Sequence, residues 1–315
     1  MEQTVSVAKR PEKVRQNVMT TQDRVVINRV KEAIAKVVFT LMALLSVLAI
    51  LLICVFLFAN GIPAVRKIGA ANFLLGTTWA PTNGQPSFGI LPMIGGSVVV
   101  TLGAVIVGVP VGILTAVFMA RFCPKKIYSL IKPASDLMAG IPSVVYGFFG
   151  LVMLVPLVRM LRDNFGMDTN GCSILTASVL LGIMILPTIV SVSESAIRAV
   201  PDSYYEGARA LGATHERSVF RTIVPAARSG ILAGVILAIG RIVGETAALI
   251  YTSGTVAKIP KGLMGSGRTI ALHMWVLANE GLHEDKAYAT AVILLILVIV
   301  INFLSNQLAR KLASA

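Results

Sequence analysis

The chain has 315 residues, 56% of them hydrophobic and 14% charged, with 28 Lys and Arg against 15 Asp and Glu. Soluble domains carry about a quarter charged residues, so this composition excludes an ordinary globular enzyme, and the hydrophobicity excludes a disordered chain. The three scattered cysteines, Cys54, Cys123 and Cys172, make neither a disulfide framework nor a zinc site. The net charge of +13 leaves nucleic acid, an anionic membrane face or an anionic solute open.

Residues 1–36 are a basic tail. The first 19 are polar and aperiodic and are expected to lack regular structure. Within 22–36, Val26, Val30, Ala33 and Ile34 fall on one helical face, while Arg24, Arg29, Lys31 and Lys36 can stay in water. Two readings fit: an interfacial helix along the cytoplasmic leaflet, or a cytosolic extension of the first span.

Residues 37–315 read as a transmembrane domain. Apolar stretches lie at about 37–59, 92–120, 134–158, 174–197, 227–253 and 287–308. About 20 helical residues at ~1.5 Å each cross the hydrocarbon core, so each stretch can span it. The predicted fold class is all-α: a polytopic membrane protein of six transmembrane helices with no separate soluble domain. The first stretch and its basic flank are both too long for a cleaved signal peptide. Lys and Arg in the connections divide 19 to 8, the larger share falling in the tail, the 121–133 and 198–228 loops and the C-terminal end. That asymmetry predicts both termini in the cytoplasm and a multi-pass chain in the cell (inner or plasma) membrane. The charge is therefore a topology signal first. A nucleic-acid role would gather the basic residues with stacking aromatics on one soluble face, and none is expected here.

In the third stretch, Gly140, Pro142 and Gly147 are expected to loosen or kink the helix for close packing. Asp136 and Glu194 fall near cytoplasmic span ends, where solvated charge is normal. Trp79 and Trp275 read as interface aromatics. His273 and His283 are too far apart for a helical ligand pair and read as loop or interfacial histidines; no metal or cofactor is expected.

The connection from Val200 to Ala226 is the most patterned segment. Pro201 and Asp202 end the fourth span's continuation, and Ser203 with Glu206 forms a capping box. A short helix is predicted to run to Leu211 and stop at Gly212 in the left-handed conformation. Thr214 caps a second short helix to about Arg221, and Pro225 opens the fifth span. The result is helix, glycine elbow, helix, projecting on the cytoplasmic side.

The fifth stretch contains Gly240-Arg-Ile-Val-Gly-Glu-Thr-Ala-Ala248. Arg241 and Glu245 are spaced to share a helix face and pair. An intramembrane arginine costs roughly 3 kcal/mol on insertion scales, so such residues usually face a water-filled path or the bundle interior. The guanidinium fork matches an oxyanion. Phosphate at neutral pH still carries a proton that it can donate to Glu245, whereas sulfate carries none. The bland alternative is a buried ion pair that fixes helix registry.

Five sets of residues resemble known families. Glu206-Gly207-Ala208, then Gly212, then Thr222-Ile223-Val224-Pro225 is similar to the cytoplasmic signature of ATP-binding-cassette importer membrane subunits, Glu-Ala-Ala, Gly, Ile-x-Leu-Pro. It departs at Gly207, Thr222 and Val224. Caps alone would account for Glu206 and Gly212 but not for the whole spacing. Arg241-x-x-Gly-Glu245-Thr, Gly140-Ile-Pro-Ser-Val-Val-Tyr-Gly147, Thr78-Trp79-x-Pro81 with Phe88-Gly89, and Gly182 to Pro187 resemble the phosphate-importer permeases of the PstC and PstA type. The match extends over roughly 70–310 and fits PstC better.

The resemblance implies a type I ABC importer permease fold and transport of inorganic phosphate. It implies a coupling loop of Glu206, Gly207, Ala208, Gly212 and Pro225 that docks on a separate ATPase, and a substrate path with Arg241 and Glu245. The implied partners are a second, PstA-like permease subunit, PstB-like ATPase subunits and a PstS-like extracytoplasmic phosphate-binding protein. No Gly-x-x-x-x-Gly-Lys-Ser/Thr phosphate loop occurs in the chain, so ATP hydrolysis is expected in a partner and the chain itself is not expected to be an enzyme. The alternatives are a permease for molybdate or sulfate, or an ion-coupled secondary transporter with Glu245 as proton relay.

Overall fold

The computed structural model describes residues 12–82, 84–166, 169–260, 262–281 and 283–314. Contacts divide the chain into Met1–Phe56 and Leu57–Ala315. In the first unit the described residues are one helix, part of α1 (Glu12–Ile68). Residues 12–19, expected to lack regular structure, are the first turns of this helix, and no break separates 22–36 from the first span; residues 1–11 lie outside the described residues. Between 31 and 56 no side chain is buried, and Leu44, Ile50 and Ile53 are each about 60% exposed. A helix apolar on every side suits hydrocarbon rather than water.

The second unit begins with α2 (Ala70–Leu75) and a two-residue hairpin, β1 (Trp79–Ala80) against β2 (Ser87–Phe88), in register Trp79↔Phe88. The next span, α3 (Leu91–Phe122), packs along α6 (Ile174–Arg198). Between them lie an amphipathic helix, α4 (Lys125–Gly140), and α5 over 143–165. Lipid tails are as apolar as leucine, so close van der Waals approach must hold such helices together. Small residues permit it: a Cβ at Gly108 of α3 would lie 2.7 Å from the Gly182 carbonyl oxygen of α6. Around this contact Val100, Ala104, Leu180, Leu181, Met184 and Ile185 form the buried core.

The third span differs from the prediction. It starts at Ser143, and residues 125–140 form α4, in which no side chain is fully buried. Pro142 explains the break, because its ring disfavours helical geometry at the preceding residue, and Ile141 is extended at φ −69°, ψ 127°. Gly147 does serve close packing, its Cβ position lying 2.9 Å from the Ala248 Cα. A Cβ at Gly140 would meet nothing within 4 Å, so no close packing requires glycine there.

After α6 come α7 (Asp202–Ala210), α8 (His215–Ala226) and α9 (Arg228–Val243). The last two meet at 66°. Pro225 therefore sits near the end of α8, before the bend at Ala227, instead of opening the fifth span. That span is interrupted again at Gly244–Thr246, beyond which run α10 (Ala247–Thr252), α11 (Ile270–Glu280) and α12 (Glu284–Ser314). Among the described residues five helices are long and apolar enough to cross a membrane, or six where the bent α8–α9 pair is counted as one span.

Opposite the α7–α8 end, the hairpin is packed into the bundle. Trp79 meets the His273 ring edge-on at 4.2 Å, and Arg268 Nη1 lies 3.0 Å from His273 Nδ1. His273 has no exposed surface, which corrects its reading as a loop or interfacial residue. Burial, with the Arg268 charge beside it, lowers its pKa to about 3. Trp79 is half-buried, its indole set between His273 and Phe88.

Candidate functional site

The basic loop is built on two helices and one elbow. Its first helix starts two residues earlier than predicted, at Asp202, with Pro201 preceding it and no side-chain cap. The Ser203–Glu206 capping box therefore does not form. Asp202 takes over at that end, where a carboxylate meets the helix dipole favourably. Arg121 Nη1, at the end of α3, donates to Asp202 Oδ1 at 3.0 Å, and Arg121 Nη2 donates to the carbonyls of Ile197 and Val200.

The elbow follows the prediction. Gly212 has φ +84°. The Gly212 N–H donates to the Arg209 carbonyl at 3.0 Å and the Ala213 N–H to the Ala208 carbonyl at 3.1 Å, which closes the last turn of α7. Thr214 Oγ1 then accepts from the Arg217 N–H and starts α8. Tyr205 and His215 tie the two helices together at 2.9 Å between Oη and Nδ1, and Phe122 of α3 packs on the His215 ring.

This loop offers a surface. Glu206 and Gly207 are exposed and Ala208 is half-buried. A Cβ at Gly207 would meet nothing within 4 Å, so glycine in place of the signature's alanine changes no contact. Leu211 is 90% exposed beside the elbow, an apolar side chain that no intrachain contact covers. Sequence reading took Leu211 only as the end of a helix.

The second group lies in the broken fifth span. Arg241 is half-buried in the last turn of α9, and its Nη1 lies 3.5 Å from Thr188 Oγ1 on α6. It lines a groove of ≈ 690 Å³ between α9 and α12, together with Asn302. Glu245 is not on the same helix face, because the chain leaves helical geometry at Gly244. Its Oε1 instead accepts the Ala248 N–H at 3.1 Å and caps α10. Among the described residues Arg241 and Glu245 form no ion pair with each other or with any other side chain. The predicted pair, and with it the registry-fixing alternative, is thereby corrected. Arg241 keeps a guanidinium fork directed to a groove, and Glu245 keeps carboxylate lone pairs beyond the one the cap uses.

Sequence reading missed a third group. Glu194, read as a solvated span-end charge, is 2% exposed. Tyr128 of α4 donates to its Oε1 at 2.7 Å, Arg198 Nε donates to the same oxygen at 2.8 Å, and Lys132 Nζ lies 3.4 Å from Oε2. Arg198 also stacks over the Tyr128 ring at 4.6 Å and donates to the Met119 carbonyl. One buried carboxylate thus joins α3, α4 and α6. The available signal was the spacing: Glu194 and Arg198 are four apart, as are Tyr128 and Lys132.

Known proteins agree with this architecture. Residues 108–314 match the family model described as "Binding-protein-dependent transport system inner membrane component". The chain is 31% identical over 303 residues to the probable ABC transporter permease protein YqgH of Bacillus subtilis, covering 92% of this chain and 97% of that protein. It is 32% identical over 275 residues to the phosphate transport system permease protein PstC of Mesorhizobium japonicum, covering 82% of each. Among solved structures, a bacterial alginate ABC transporter in complex with an alginate-bound periplasmic protein aligns with a TM-score of 0.57 at 17% identity, over 84% of this chain and 94% of that one. That likeness carries the fold: all-α, membrane-spanning, of the type I ABC importer permease kind. With two thirds of its length under the family model and close to its full length aligned to permease relatives, this chain belongs to the family of inner membrane components of binding-protein-dependent transport systems.

Proposed function

We propose that this importer subunit carries inorganic phosphate, with Arg241 on the solute path and the α7–α8 loop as the contact for a separate ATPase. The observation that supports the substrate most is the state of Arg241. A guanidinium in a spanning segment, without a carboxylate partner among the described residues and lining a groove, is costly unless it meets water or an anion. Its planar donors suit two phosphate oxygens at once. Glu245, a few residues on and in non-helical backbone, can accept a hydrogen bond from the hydroxyl that phosphate still carries near neutrality. The relatives named as phosphate permeases support the same substrate.

Both termini and the α7–α8 loop then face the cytoplasm of a cell membrane, as the 19 to 8 division of basic residues supports. The full assembly pairs this chain with a PstA-like permease subunit, PstB-like ATPases and a PstS-like binding protein. Glu206, Gly207, Ala208 and Gly212 shape the exposed elbow, Leu211 fills an apolar pocket on the ATPase, and Pro225 ends the lever before the 66° bend into the fifth span. Hydrolysis itself belongs to the ATPase, and this chain performs no catalysis. The test is phosphate uptake and membrane abundance for Arg241→Gln and Arg241→Lys in the assembled importer. Loss of uptake at normal abundance in both supports the proposal, and normal uptake in Arg241→Gln overturns it.

A further inference from the structure

The groove at Arg241 does not end there. A second groove of ≈ 420 Å³ continues from it between α9 and α12, sharing Ile236, Leu237 and Asn306 and ending at Ser229 and Arg310. On α12 the polar members are Asn302, Asn306 and Arg310, each four residues from the next, so they form one stripe along one face. The stripe faces α9, since a Cβ at Gly240 would stand 3.6 Å from Asn302 Oδ1. The helices run antiparallel, so Arg241 and Asn302 lie within the span, and Ser229 and Arg310 lie at its end beside the basic loop.

Such a stripe is out of place against lipid. An asparagine amide left unpaired in hydrocarbon costs several times the net worth of a hydrogen bond. The surrounding helix is strongly apolar, with Phe303 and Leu304 about 60% exposed on its other faces. Of the α12 residues that line the two grooves, Val298, Asn302, Asn306 and Arg310, three are polar.

We infer that Asn302, Asn306 and Arg310 form the exit ladder for the translocated anion, leading from Arg241 to the end of the bundle that carries the basic loop. This rests on the function proposed above. The chemistry is graded. Arg241 supplies charge and a fork, and the two amides supply neutral N–H donors for phosphate oxygens and carbonyl acceptors for its hydroxyl. Arg310 draws the anion to the aqueous mouth. Rungs about 6 Å apart, at four residues of helix rise each, pass an anion between neighbouring sites. Neutral rungs bind weakly enough to release it, as a conducting path requires.

The test uses the assembled importer in inside-out membrane vesicles, with Cys54, Cys123 and Cys172 replaced by Ser. Single variants Asn302→Cys, Asn306→Cys and Leu304→Cys are treated with a charged, membrane-impermeant thiol reagent, with and without inorganic phosphate. A thiol on a watered path ionises and reacts, so Asn306→Cys is expected to label about tenfold faster than Leu304→Cys, and phosphate slows that labelling. Asn302→Asp and Asn306→Asp place a negative charge on the path and are expected to lower phosphate uptake about tenfold at normal membrane abundance. Phosphate-insensitive labelling at Asn306→Cys, or full uptake in both aspartate variants, overturns the ladder. If Arg241→Gln still abolishes uptake in that case, the ladder alone has failed. Full uptake in Arg241→Gln overturns the phosphate path itself, and phosphate-insensitive labelling then removes the ladder with it.

Discussion

Arg121, at the end of α3, holds Asp202, at the start of α7, through a 3.0 Å ion pair, and its second terminal nitrogen caps the carbonyls of Ile197 and Val200. The two partners are unequal: the Arg121 side chain is 16% exposed and that of Asp202 77%. The pair's Coulomb energy is thus largely screened, and the carbonyl bonds carry most of the anchor. Asp202→Asn is expected to change stability by less than about 1 kcal/mol, and Arg121→Ala to cost about 1–3 kcal/mol by leaving carbonyls unsatisfied. Thermal unfolding of the purified subunit complex reads the difference; equal losses for the two variants would show that the ion pair dominates.

Gly212 sits at φ +84°, where a side chain is strained whatever the space around it. Gly212→Val is expected to cost ~1–2 kcal/mol locally and to uncouple transport from ATP hydrolysis while the subunit stays in the membrane. Gly207→Ala, with nothing within 4 Å of the new Cβ, is the matched control and should transport normally. Uptake and ATPase rate measured together decide it, and full coupled uptake by Gly212→Val would remove the elbow from the docking surface.

Leu211 is 90% exposed, so trimming it removes almost no intrachain contact. Leu211→Ser should leave membrane abundance and unfolding temperature unchanged yet weaken retention of the ATPase by about tenfold, as truncation of an apolar anchor in a pocket does. Copurification of the ATPase in detergent is the measurement. Undiminished copurification would assign Leu211 no part in docking.

Glu194 joins three helices. Glu194→Gln is expected to destabilise the assembly by about 1–3 kcal/mol, because the buried carboxylate that part-exposed Lys132 and Arg198 share is lost. Tyr128→Phe removes a single hydrogen bond and should cost less, about 1 kcal/mol. In the double variant the two costs should be less than additive, since both residues belong to one network. Strict additivity would mean that Tyr128 and Glu194 act independently.

His273 sets a pH dependence at the opposite end of the bundle. Its folded pKa is depressed from 6.5 to about 3 by burial and by Arg268. As pH falls below 6.5 the unfolded chain takes up this proton and the folded chain does not, so His273 makes stability decline from about pH 6.5 down to about pH 3, and adds no slope above. His273→Phe should flatten that part of the stability profile. An unchanged slope between pH 6 and pH 4, read by unfolding at a series of pH values as about the full or half range of one titrating group, would place the sensitivity elsewhere.

Much of this protein was legible in its residues alone, for a physical reason. A bilayer demands about 20 consecutive apolar residues wherever a helix crosses it, so the length and spacing of the apolar stretches carry the all-α, multi-span fold without knowledge of any contact. The elbow was legible on the same terms, because only glycine takes φ +84° without cost and Gly212 stands just before the Thr214 cap of the next helix. The tertiary structure decided what depends on where helices stop and what they meet. The chain leaves the helix at Gly244, so Arg241 and Glu245 part although their spacing fits a pair. Pro142 detaches α4 from the third span, which lets α4 return Tyr128 and Lys132 to Glu194 and turns a nominal surface charge into a buried junction. The exposure of Leu211 and the alignment of Asn302 and Asn306 beneath Arg241 likewise follow from packing between elements distant in sequence, which no local pattern of residues encodes.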